Sequence, residues 1–132
     1  MNDQEIAQQW LDKCCTTIQQ YDHAAHMNLI SREIQVFGIP GFDVINYDDW
    51  YSQCEYEFNE KVIAEASYSG LRIRSSNDDQ IMFLTTETIR ATDGTIDSHP
   101  LEVVLKKETD GQWRVVQERL LDSDEARHFG LA

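Results

Sequence analysis

Long apolar runs are missing from this 132-residue chain, and no segment approaches the roughly 18 consecutive apolar residues that a spanning helix needs. The opening MNDQEIAQQW has neither the basic head nor the apolar centre of a signal peptide, so a soluble, cytoplasmic protein with no membrane partner is expected. Basic residues are scarce too: 11 Lys and Arg stand against 24 Asp and Glu, a formal charge of −13. A field of that sign repels phosphate backbones, and the only adjacent basic pair, Lys106 and Lys107, makes no stripe, so nucleic acid is not an expected partner. Cysteine is limited to Cys14, Cys15 and Cys54, spaced for neither a disulfide framework nor a metal, which points to buried thiols. Repeats, low-complexity tracts and Pro/Ser-rich linkers are also missing, so residues 1–132 are expected to form one domain.

What the chain does have is periodicity. Asn2 is placed to cap a first helix with Glu5 at its third position, and Ile6, Trp10, Cys14, Ile18 and Tyr21 then follow at steps of four and three. Residues 22–30 read as a second, shorter helix, and Ile34 to Gly38 as extended. In the stretch FGIPGFDVINYDDWYSQCEYEF, Pro40 and Gly41 supply a turn after which Phe42 to Ile45 are expected to return antiparallel. Asn46 caps the next helix, with Asp48 and Asp49 in its first turn and Tyr47, Tyr51, Cys54 and Phe58 as its buried line.

From Val62 onward the period is two. Ser76-Asn77-Asp78-Asp79, Asp93-Gly94 and Asp110-Gly111 are turn chemistries that divide the region into strands over 62–75, 80–92, 95–108 and 112–121. In the first of these the apolar phase moves from even positions (Val62, Ala64, Ala66, Tyr68) to odd ones (Leu71, Ile73) across Gly70, the mark of a β-bulge, and bulges bend sheets. The expected class is therefore α+β: N-terminal helices on a strongly curved antiparallel sheet, forming a cone whose unfilled part is an apolar pocket.

This order of helix, short helix, hairpin, helix and four-strand meander, with YDHAAHMNLIS before IQVFG, the INYDDW helix entry and DGQWRVVQERL in the last strand, resembles the nuclear-transport-factor-2-like superfamily over about Glu5 to Leu121. That superfamily includes ketosteroid isomerases, SnoaL-type cyclases, scytalone dehydratase and the small subunit of ring-hydroxylating dioxygenases. The resemblance implies a conical domain with an open pocket, a small organic ligand and a homodimer formed through the outer sheet surface. It does not carry the isomerase residues across: Cys14 stands where the first-helix tyrosine is expected, Phe37, Gly38 and Ile39 where the base is expected, and Leu101 and Val103 where the protonated acid is expected.

Several side chains are candidates for chemistry in such a pocket. His99 shares the phase of Leu101, Val103 and Leu105, which makes it either a general acid or base inside the cone or a strand-end histidine near solvent. Arg119 is in phase with Trp113, Val115 and Gln117; if that face looks inward, Gln117 and Arg119 are polar pocket groups, and if the phase is inverted, Glu118 takes the interior. Tyr21, Trp50, Tyr51 and Tyr68 suit a pocket rim or plain core, and Asp43, in the hairpin at the mouth, is either a substitute for the absent base or a turn aspartate accepting backbone hydrogen bonds.

The expected site thus has His99, Arg119 and Tyr21 in catalytic roles and Cys14, Phe37, Trp50, Tyr51, Leu101, Val103 and Gln117 as the ligand wall. His23 and His26 find no third ligand in the pattern, so no metal is expected. No phosphate-cradling or dinucleotide fingerprint appears, and no cofactor is expected. Three functions remain open: a small-molecule-binding protein, a lyase or isomerase acting on a cyclic or aromatic substrate, and a structural subunit.

Overall fold

A computed structural model describes residues 1–131. Helix α1 (Asp3–Gln19) begins where Asn2 accepts a hydrogen bond from the Glu5 backbone N–H at 2.9 Å, and it buries Ala7, Trp10, Leu11, Cys14 and Ile18 on one face. Helix α2 (His23–Met27) is capped by Asp22 and is shorter than its sequence suggests. It stops because Ile30 belongs to a strand: in β1 (Ile30–Phe37), Ile30, Ile34 and Val36 are buried, which a continued helix does not permit.

After β1 the chain reverses, but the expected hairpin reduces to one antiparallel bridge, Val36 to Ile45, with hydrogen bonds of 2.9 and 3.0 Å. Gly38 is required here. Its φ is +88°, and a Cβ added to it falls 2.6 Å from the Leu120 carbonyl oxygen. Helix α3 (Tyr47–Asn59) opens with a complete capping box between Asn46 and Asp49. Cys54 and Phe58 are its buried residues, whereas Tyr51, expected in the same line, is 40% exposed.

Strands β2 (Ile63–Ser76), β3 (Gln80–Ala91), β4 (Ile96–Lys107) and β5 (Trp113–Leu120) follow the turn chemistry to within a residue or two. The sheet order is β1-β5-β4-β3-β2, and β1 lies parallel to β5, so the sheet is mixed and not wholly antiparallel. The sequence pattern hides this because β1 and β5 are far apart in the chain and parallel neighbours leave no turn signature. The β2–β3 register shifts between Ser69 and Arg72, beside Gly70 at φ +70°, which places the bulge where the apolar phase slips. The sheet is curved and unclosed, with α1 packed against β2 and β3.

The outer face has a cover of its own. A row of cross-strand partners, Arg72, Leu84, Glu102 and Arg119, runs over β2, β3, β4 and β5. Helix α4 (Ser123–His128), which the sequence pattern does not announce, crosses this face: Glu125 pairs with Arg119, Arg72 donates to the Phe129 carbonyl, and Arg74 lies over the Phe129 ring. Leu84, Val104, Leu121 and Ala126 are buried outside the main core cluster.

Candidate functional site

Between α1, α3 and the concave face of the sheet lies a cavity of about 750 Å³. Helix α1 contributes Trp10, Cys14 and Ile18, and α3 contributes Trp50, Cys54, Phe58, Asp49 and Glu57. The segment between β1 and α3 adds Ile39, Phe42 and Ile45; Phe42 is 62% exposed and lies on the cavity's border. His26 of α2 is buried in the wall beside Phe58, ring centroids 5.5 Å apart. Burial drives its pKa down to about 4, so the ring is neutral. The Thr17 hydroxyl lies 2.9 Å from His26 Nδ1 and 3.1 Å from the Cys14 carbonyl, which ties the ring to α1.

The polar part of the wall comes from the sheet, and the register assembles it. Tyr68, Glu87 and His99 are cross-strand partners on β2, β3 and β4 and form one lateral row on the concave face. Tyr68 donates its hydroxyl to Glu87 Oε2 at 2.8 Å. Burial raises the Glu87 pKa, while the Tyr68 hydrogen bond and His99 pull it back down. Glu118, on β5 between Val36 and Val103, also lines the cavity. Burial first, and then the negative charge of Glu87, push its carboxyl up to about 8. Among the described residues Glu118 has no ion-pair or side-chain hydrogen-bond partner. Burial also raises Cys14 and takes Cys54 to about 12, so neither sulfur is a thiolate nucleophile at neutral pH.

No protein-family model matches the sequence, and no curated protein does. Solved structures do match. An NTF2-like protein from Cytophaga hutchinsonii superposes with a TM-score of 0.72 at 18% identity, over 91% of this chain and 98% of that one. A scytalone dehydratase candidate from Novosphingobium aromaticivorans gives 0.70 at 14% identity, over 89% of this chain and 81% of its own. A Nostoc punctiforme protein of unknown function with a cystatin-like fold gives 0.68 at 10% identity, over 89% and 88%. The chain has the NTF2-like fold. At these identities the likeness is one of backbone, and the chemistry of the site rests on this chain's own side chains.

Within the NTF2-like cone, Cys14, Trp50, Leu101 and His99 line the cavity together. Arg119 and Gln117 do not. The β5 register turns Glu118 inward and leaves Arg119 on the outer face, bonded to Glu102 at 3.3 Å and to Glu125. Phe37 is in register with Arg119 and follows inward-facing Val36, so it leaves the cavity wall as well. Val103 is buried in the core beyond the cavity. Tyr21 uses its hydroxyl on the Ile63 carbonyl at 3.2 Å and sets its ring edge-on to Phe58. Tyr51 packs on His23, ring centroids 4.4 Å apart, beside a separate hollow that includes Arg32 and Arg114.

Glu87 is a polar cavity residue that sequence reasoning missed. The signal was present: Phe83, Thr85, Glu87 and Ile89 share one phase of β3, so an acid occupies an inward position of an otherwise uncharged face. Glu57, Asp49 and Asp97 reach the same cavity, from α3 and from the start of β4.

Proposed function

We propose that the protein binds a small organic molecule in the NTF2-like cavity. The hollow itself carries this reading: its volume of about 750 Å³ falls in the size range of small-molecule sites, and aromatic and aliphatic walls surround a few polar groups. Native mass spectrometry of freshly purified protein is the test, with Trp10 and Trp50 emission as a second readout. A bound small molecule or ligand-dependent emission is the expected result. Protein that carries nothing, and whose emission no apolar compound shifts, sinks the reading.

A second reading is favoured by the Tyr68–Glu87–His99 row sharing its cavity with Glu118. It makes the protein a lyase or isomerase of a cyclic or aromatic substrate, with His99 as the base, held beside Glu87, and Glu118 returning the proton. A carboxyl near 8 keeps its proton at neutral pH and exchanges it readily there. Uptake of solvent deuterium at the α-carbon of 2-cyclohexenone, followed by NMR, tests this. His99→Gln should abolish the uptake without displacing the ketone, and wild-type uptake no faster than buffer defeats it.

The same proposal has a homodimer in the cytoplasm. Three free cysteines suit a reducing compartment, and light scattering reads the subunit number.

A further inference from the structure

We propose that the molecule this cavity takes is an organic cation: a protonated amine or quaternary ammonium group carried on an apolar or aromatic body. This rests on the cavity being the binding site and adds the charge of what enters it. The wall holds five carboxyl groups, Asp49, Glu57, Glu87, Asp97 and Glu118, contributed by three strands and one helix, and it includes none of the chain's 11 lysines and arginines. His26 is neutral, and His99 stands in register with Glu87, which leaves the other acids without a resident counter-charge.

Glu118 is the sharpest case. It is aimed into the cavity, flanked by Val36 and Val103, and bonded to nothing among the described residues. A carboxyl there is costly to ionise, and a cation seated beside it offsets that cost by pairing with the carboxylate once the proton leaves, so the wall favours a positive guest. An anionic guest meets the opposite: acidic groups and no guanidinium or ammonium to receive it.

The apolar half of the wall fits the same guest. Trp10, Trp50, Phe58 and Tyr68 line the cavity, and aromatic rings attract ammonium groups as well as apolar surface. A bare metal ion fits less well, since no three His, Cys, Asp or Glu side chains among the described residues are close enough together to hold one. The −13 charge of the chain also draws cations toward the mouth.

Three probes of one shape separate the possibilities: 1-naphthylmethylammonium, 1-naphthylmethanol and 1-naphthoate, titrated into the full chain by calorimetry with Trp emission in parallel. The ammonium should bind at least about ten-fold tighter than the alcohol, and the naphthoate weakest, with the preference narrowing at high salt. Glu118→Gln should narrow the ratio of ammonium to alcohol affinity, and an unchanged ratio in a folded variant also overturns the inference. Glu57→Gln provides a second variant should the first melt early by circular dichroism. If the alcohol or the naphthoate equals or exceeds the ammonium, the cation inference is overturned while the cavity stands as a binding site. If none of the three binds or moves the Trp emission, the binding reading falls and takes the inference with it.

Discussion

The Tyr68 hydroxyl donates to Glu87 across the β2–β3 register at 2.8 Å, and this contact ties an acid of the cavity wall to the neighbouring strand. Tyr68→Phe removes the donor and leaves the carboxyl in the wall without it. The expected cost is about 1–2 kcal/mol in urea unfolding at pH 7. The Glu87 side-chain carboxyl, followed by NMR, should titrate higher still, because the hydrogen bond lowers its pKa against the effect of burial. An unchanged midpoint means that the contact does not form in solution.

Glu118 predicts a pH dependence with a definite sign. Its folded-state pKa, near 8, lies above the ordinary value of 4.5, so the folded protein holds this proton more tightly than the unfolded chain does. That contribution is fully present below about pH 4.5 and is lost as pH rises through 8. Glu118→Gln stays neutral at every pH. The variant should therefore gain on the wild type between pH 5 and 9, ending about 5 °C or more ahead in Tm. Parallel Tm curves across that range place the carboxyl in ordinary solvent.

Much of the fold is legible in residue spacing, and the failures share a cause. Turn chemistry marks the four C-terminal strands because Asp-Gly pairs and Asn-Asp clusters act locally, and the slip around Gly70 locates a bulge from phase alone. The last strand is harder. Trp113, Val115, Gln117 and Arg119 keep a strict alternation, but the β4–β5 register shifts between Val104 and Leu105, and the facing pairs that follow put Glu118 opposite inward-facing Val103. Nothing in the β5 sequence records a shift set by its partner. Helix α4 escapes notice for a similar reason: it is six residues long, and its reason to exist is the outer face it covers.

Gly38 and Gly41 form a natural control. Both have φ of +88°, but an added Cβ at Gly41 meets open space, whereas at Gly38 it lies 2.6 Å from the Leu120 carbonyl oxygen. Gly41→Ala should cost about 1 kcal/mol, the backbone penalty alone. Gly38→Ala should cost about 3 kcal/mol or more and loosen Leu120, which lines the cavity. Equal losses for the two in chemical denaturation mean that β1 and β5 do not approach this closely at Gly38.

Arg119 separates the two faces of β5. Its phase makes it a natural choice for a cavity cation, yet it sits on the outer row between Glu102 and Glu125 and ties α4 to the sheet. With its side chain 30% exposed, Arg119→Met should cost only about 0.5–1 kcal/mol. The loss should be local: amide exchange at Leu121 and Ala126 quickens while the core of α1 stays protected. Affinity for 1-naphthylmethylammonium should stay within about two-fold of wild type, the range of a residue outside the site. Loss of ten-fold or more in a folded Arg119→Met protein puts the guanidinium inside the cone. The outward phase of Arg119 on β5 then fails, and with it the inward placement of Glu118.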